Sequence, residues 1–237
     1  MDPNAPAQNQ FQKGKLMLVD KPINWTSFDL VNKIRLAITR TYKIKKIKVG
    51  HAGTLDPLAT GLVIVCSGKA TKTISELSLL TKEYTGTFVL GATTPSYDLE
   101  KEIDKRYSYE FITEEMIYAT AQKFLGEQEQ IPPVFSAIQV KGKRAYNYAR
   151  GGEKIELKSR KIHIFEFDIL NINLPNVDFR LKVSKGTYIR SIARDFGLQL
   201  NSGAYLTNLR RTKIGDYDIS NALTVNNIIS IIESSTD

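Results

Sequence analysis

The residues best suited to chemistry lie in "GHAGTLDPLATG", residues 50–61, where one carboxylate, Asp56, sits among glycines and alanines beside Pro57. Glycine takes backbone conformations that other residues avoid. Pro57 fixes its own φ and steers Asp56 toward an extended conformation. A carboxylate on so stiff a segment is aimed. An ordinary Asp-Pro surface turn has the same composition, so the rest of the chain must decide between the two.

A reacting carboxylate needs a cation that favours its ionised form. "SKGTYIRSIARDFG", residues 184–197, offers one, because Gly186 and Thr187 can open a helix with Arg190 in or near its first turn. The helix dipole disfavours a cation there. Arg190 is therefore expected to face an anion, either Asp56 or an RNA phosphate, the alternative being a solvated surface arginine.

Other chemistries fit poorly. "SGKATK" ends like a phosphate-binding loop, but Val63 stands where that motif needs glycine and Ala70 where it needs Ser or Thr. The two histidines, His51 and His163, are far apart in sequence, and the single cysteine, Cys66, lies in the apolar run "LVIVC". That is a poor metal-ligand set. A Mg²⁺ site on Asp20 and Asp56 is the weaker alternative, and neither histidine sits in a nucleophile elbow. What remains is catalysis by one carboxylate, with no metal and no cofactor.

The elements that must position these residues are legible in part. "KLMLVD" and "GLVIVCS" read as buried strands, and "EYTGTFVLGA" and "VDFRLKVS" as half-buried antiparallel ones. "IHIFEFDILNI" is a further strand, with His163 a packed or solvated residue of it. A helix is predicted from about Thr26, with a Thr26 to Asp29 capping box and Phe28, Val31, Ile34 and Ile38 on one face. Further helices are predicted near 113–125, 188–200 and 223–233. Strands and helices in irregular order point to α+β with a mixed, largely antiparallel sheet.

Composition narrows the partner. The 237 residues suit one sizeable domain, and 33 basic against 25 acidic side chains give a net charge of +8. Residues 30–55 hold seven bases (Lys33, Arg35, Arg40, Lys43, Lys45, Lys46 and Lys48) and no acid. Residues 139–161 hold eight bases against two acids, whereas 98–129 hold nine acids and four bases. Charge polarised in this way suits a phosphate-rich partner on one face, although a charge run is also what a solvated face looks like. A lone cysteine fits a reducing cytosol, and neither a signal peptide nor an apolar run of 18 residues occurs. Residues 1–13, polar and rich in Pro, Asn and Gln, read as a mobile tail.

Six ordered segments carry a family resemblance: "LVDKPINWTSFD", "GHAGTLDPLATG", "KEYTGTFVLGATTPSYD", "QIPPVFSAIQVKGKRAYNYARGGE", "SKGTYIRSIARDFG" and "GAYLTNLRRTKIG". Together they resemble the TruB family of tRNA pseudouridine synthases over about residues 14–215. The resemblance implies the pseudouridine synthase fold, an α+β fold whose active-site cleft crosses the sheet. It implies Asp56 as nucleophile, Arg190 as its partner, Tyr84 stacked on the target base, Tyr188 and Leu209 in the base pocket, and His51 against the T loop. Residues 14–237 are then the catalytic domain, and 127–153 an RNA-contacting insertion. The implied reaction converts uridine 55 of the tRNA T arm to pseudouridine after base flipping, with no cofactor, no membrane, a cytoplasmic location and a monomer. Addition of Asp56 to the base and attack on the sugar both fit. A noncatalytic RNA-binding module on this scaffold, or a synthase with another RNA target, are the competing readings.

The pattern departs from the family at Asn24, usually glycine, at Phe135, usually tyrosine, and at Gln139, commonly lysine. Only 22 residues follow Gly215, too few for the PUA domain that many members carry. Recognition is therefore expected to be local, with an isolated T-arm hairpin modified within about tenfold of whole tRNA, a difference of roughly 1.4 kcal/mol.

Overall fold

The computed structural model describes residues 9–136, 138–140, 142–151, 153 and 155–234, with Ala149 and Arg150 described by their backbone alone. The chain forms two compact units, 1–82 with 210–237 and 83–209.

The first unit opens with α1 (Gln10–Gly14), capped reciprocally by the Asn9 and Gln12 side chains. Phe11 is buried and meets the Tyr42 ring edge-on at 5.6 Å. The tail predicted over 1–13 is thus corrected for 9–13, where a capping box and one buried aromatic order a polar segment. Residues 1–8 lie outside the described residues.

Then come β1 (Lys15–Lys21), α2 (Ser27–Thr41), β2 (Val49–Ala52), β3 (Thr60–Ser67) and α3 (Ile74–Leu79). The Thr26 and Asp29 capping box of α2 is as predicted, and Leu30, Val31, Ile34 and Ile38 are buried. Phe28 is not on that face and is 65% exposed. The buried stripe begins instead at Ser27, a polar residue that hydropathy does not mark. Ala52, Leu62, Ile64, Cys66, Leu77 and Ile214 form one core cluster, and burial pushes the Cys66 thiol up.

The chain enters the second unit inside β4 (Lys82–Leu90) and continues through β5 (Ala92–Thr93), β6 (Lys105–Arg106), α4 (Glu114–Lys123) and β7 (Gly126–Gln130). A small hairpin of β8 (Gln139–Val140) and β9 (Lys143–Arg144) leads into α5 (Ala145–Arg150). The long antiparallel pair β10 (Arg160–Asn173) and β11 (Asn176–Val183) and the helix α6 (Ile189–Gln199) follow. The core is aromatic: Phe88 stacks on Phe179 at 4.1 Å and meets Phe196 at 5.5 Å, with Phe124 and Phe167 against the same rings. Truncating such a ring to alanine costs about 3–5 kcal/mol.

The chain returns to the first unit inside β12 (Ala204–Ile214), followed by β13 (Tyr217–Asp218), β14 (Leu223–Thr224) and α7 (Val225–Ser234). In the first unit the strand order is β14-β1-β3-β12, with β2 also on β3 and β13 on β12. β1 with β14 and β3 with β12 are parallel, while β1 with β3 and β2 with β3 are antiparallel. In the second unit the order is β12-β4-β11-β10-β7. This is the α+β, mixed and mostly antiparallel architecture that the pattern predicted. Residue periodicity does not mark β2, β7 or β12.

Candidate active site

The segment 50–61 is not one turn but the heart of a hairpin. Residues 49–52 are strand β2, paired with β3 at Gly50 to Cys66 and His51 to Val65, so the loop proper is 53–59. Asp56 opens a four-residue turn in which the Ala59 amide donates to its carbonyl at 3.1 Å. Pro57 holds the second position of that turn, where its fixed φ fits.

Backbone groups on both sides of Asp56, the carbonyls of Gly53, Thr54, Leu55 and Pro57 and the Leu55 amide, are tied to other elements. Ser27 Oγ accepts from the Leu55 amide at 2.9 Å and donates to the Leu55 carbonyl at 3.2 Å. The Pro57 carbonyl accepts from the Asn24 amide at 2.8 Å and from Lys21 Nζ at 3.4 Å. The Arg211 guanidinium donates to the Gly53 carbonyl at 3.1 Å and to that of Thr54 at 3.5 Å. The loop is therefore gripped from the start of α2, from the end of β1 and from β12. This is the stiffness that the Gly and Pro content suggested, supplied mostly by residues outside the segment.

Two of these grips are buried cations. Lys21 is fully buried, with Nζ also donating to the carbonyls of Pro22 at 2.8 Å and Trp25 at 2.7 Å. Burial lowers its pKa to about 8; the Asp56 carboxylate is the charge that most opposes the shift, and the Arg211 cation reinforces it. His51, half-buried, is likewise held below its ordinary value, first by burial and also by the Arg211 charge. Asp20 is not turned toward a metal site with Asp56. Its two oxygens accept from Arg210 at 3.1 and 2.7 Å. Among the described residues, no group of three or more His, Cys, Asp or Glu is placed to hold a metal.

Tyr84, Tyr188, Arg190 and Leu209 belong to the second unit. Tyr84, on β4, and Leu209, on β12, are both buried. Tyr188 caps α6, so Arg190 does fall in the first turn of that helix. The Tyr188 backbone is clamped by Gln130, whose Oε1 accepts from the Tyr188 amide at 2.8 Å and whose Nε2 donates to the Tyr188 carbonyl at 3.1 Å. Arg160 lies over the Tyr188 ring at 5.2 Å, within cation–π range. Arg190 is 4% exposed and donates to the carbonyls of Ser96 at 3.2 Å and Phe135 at 3.0 Å. Within this unit its Nε faces Asp98 Oδ2 at 3.5 Å. Asp98 is thus an anion for Arg190 that sequence spacing does not reveal. His51 and Asp56 belong to the first unit.

Sequence reasoning misses four residues that hold these groups within their own units, Lys21 and Arg211 in the first and Gln130 and Asp98 in the second, because their types suggest surface. The available signal is local. Lys21 ends a strand of alternating burial, and Arg211 falls on the inward register of β12 beside the buried Leu209. The departures have physical readings too. Asn24 has φ 66°, a left-handed conformation that asparagine tolerates next best to glycine. Phe135 contributes its carbonyl to Arg190, and Gln139 is exposed on β8, opposite Arg144. Of the basic residues, Lys43, Lys45, Lys46, Lys48, Lys143 and Arg144 are exposed to differing degrees, while Lys141 and the Arg150 side chain lie outside the described residues.

Comparison with solved structures defines the class. The chain matches the structure of a Cbf5–Nop10–Gar1 complex at 27% identity and a TM-score of 0.69, covering 93% of this chain and 54% of that one. An H/ACA ribonucleoprotein bound to a substrate RNA containing 2'-deoxyuridine gives 26% and 0.67, over 93% and 53%. The chain spans about half the length of these two. The architecture is that of the pseudouridine synthases, isomerases that act on RNA. The model of the TruB family pseudouridylate synthase N-terminal domain matches residues 39–189. Relatives called tRNA pseudouridine synthase B are 58% identical in Flavobacterium johnsoniae, over 91% of this chain and 95% of that one, and 57% identical in Phocaeicola vulgatus, over 91% and 92%. The chain belongs to the TruB family.

Proposed function

We propose that this enzyme isomerises uridine 55 in the T loop of tRNA to pseudouridine, with Asp56 as the nucleophile. The observation that carries the reading is the loop 53–59, whose backbone is bonded on both sides of Asp56 by Ser27, Lys21, Asn24 and Arg211. A rigid mount for one carboxylate suits a reaction that needs orientation more than redox or metal chemistry. The relatives' shared name, tRNA pseudouridine synthase B, supports tRNA as the substrate.

In the reaction the N1–C1' bond of uridine breaks, the base turns, and C5 bonds to C1'. The C5 proton leaves to water, and N1 gains one. The target base must first leave its stack, at a cost of a few kcal/mol. On this reading Tyr84 stacks on the flipped base, Tyr188 and Leu209 hold it, Arg190 supplies the cation, and His51 meets the loop RNA. The exposed lysines of 43–48, and the basic part of 127–153 as an RNA-contacting insertion, engage phosphates. The reading includes action as a monomer in the cytoplasm, and no helix among the described residues is long and apolar enough to cross a membrane.

The test is a map of pseudouridines in RNA from cells with and without the gene. Loss confined to tRNA position 55 is expected. An intact position 55, with loss elsewhere, would move the enzyme to another RNA.

A further inference from the structure

Arg211 is the largest fully buried side chain of the described residues, at 1% exposure. Its Nε donates to the Leu62 carbonyl at 2.7 Å, and its terminal nitrogens donate to the Gly53 and Thr54 carbonyls. Gly53 and Thr54 lead into Asp56, and Leu62 lies in the strand that leads away from it. One rigid guanidinium therefore spans both arms of the hairpin that carries Asp56. Among the described residues no ion pair involves Arg211, and its hydrogen bonds run to three backbone carbonyls. A buried cation without an ion-pair partner is expensive, and an apolar side chain of similar volume fills such a space at lower cost. What guanidinium adds is a planar fork with donors in fixed directions.

The backbone shows the same close fit. Gly61 has φ 108°, and a Cβ there would lie 2.3 Å from the Arg211 carbonyl oxygen and 2.7 Å from its amide nitrogen. Gly53, at φ 90°, turns the chain at the carbonyl that Arg211 holds. The guanidinium also lies close enough to His51 and Lys21 for its charge to lower both of their pKa values.

We propose that Arg211 is a positioning residue for Asp56: by fixing the Gly53 and Thr54 carbonyls against Leu62, it sets the direction of the carboxylate. The proposal rests on the reading of Asp56 as the nucleophile. Its test is single-turnover pseudouridine formation on saturating tRNA by Arg211→Gln, which keeps carbonyl-directed donors, and by Arg211→Met, which keeps none. Thermal unfolding of each variant gives the folded fraction at the assay temperature.

The expected rate per folded molecule falls in the order wild type, Gln, Met, with the Met variant slower by about 10- to 100-fold, as small misplacements of reacting groups allow. tRNA affinity should stay within about threefold. A purely structural role would change the folded fraction and leave the rate per folded molecule alone. Rates within twofold of wild type for both variants would overturn the proposal. If neither folds, Gly53→Ala takes their place. It leaves Arg211 intact and strains the carbonyl it grips. A lower rate at unchanged affinity is then expected, and an unchanged rate overturns the proposal. Asp56→Asn in the same assay separates the two ideas. If it is active, the nucleophile reading fails; if it is inactive while the Arg211 variants keep full rate, only the positioning role fails.

Discussion

Among single residues, His51 and Lys21 tie the fold to pH. His51 is held below its ordinary value mainly by burial, so its charged form is disfavoured in the folded protein. The unfolded chain takes up that proton near pH 6.5, so stability is full above that pH and falls as pH drops below it. Urea unfolding at a series of pH values should show a steeper loss just below 6.5 for wild type than for His51→Gln. Equal slopes would contradict the burial assigned to the ring. Lys21 has the same sign in another window. Its pKa falls from 10.5 unfolded to about 8 folded, so stability should rise as pH climbs from 8 toward 10.5, and Lys21→Met should lack that rise. Asp56 and Arg190 stand out in the sequence because Gly, Pro and a helix start surround them. Lys21 and Arg211 do not, because burial of a cation depends on which carbonyls the fold brings to it, and no local pattern records that.

Among the elements, α2 serves the loop. Ser27, its first residue, bonds both the amide and the carbonyl of Leu55. Ser27→Ala leaves those buried groups without their partner, a cost of about 1–3 kcal/mol. It should also slow single-turnover catalysis without weakening tRNA binding, and a loss of stability alone would confine Ser27 to a structural role. The segment after α2 has a different task. Lys43, Lys45, Lys46 and Lys48 are exposed to differing degrees while Ile47 and Val49 are buried, so the segment is anchored and presents its charges outward. Neutralising three of the lysines should flatten the salt dependence of tRNA binding, by roughly 0.7 to 0.9 log units of slope for each phosphate no longer neutralised. An unchanged slope would make this run a solvated face. β1 and β3, as apolar runs, and β11 and α6, with clean periodicity, are legible in advance. β12 is not, because Arg210 and Arg211 break its apolar alternation, one paired at the surface with Asp20 and the other buried.

For the whole molecule, the proposed reaction rests on one rigidly mounted carboxylate, Asp56. The other features depend on it, since the grips on 53–59 and the basic segments have a catalytic meaning only if Asp56 reacts. The direct measurement is tritium release from C5-labelled uridine in tRNA by Asp56→Asn, together with its tRNA affinity. The substitution is nearly isosteric; it removes the charge and replaces one acceptor oxygen with an NH2 donor. No product is expected, with affinity kept within about tenfold, because phosphate contacts supply most of the binding. Substantial turnover by the folded, tRNA-bound variant would contradict the assignment of Asp56 as the nucleophile.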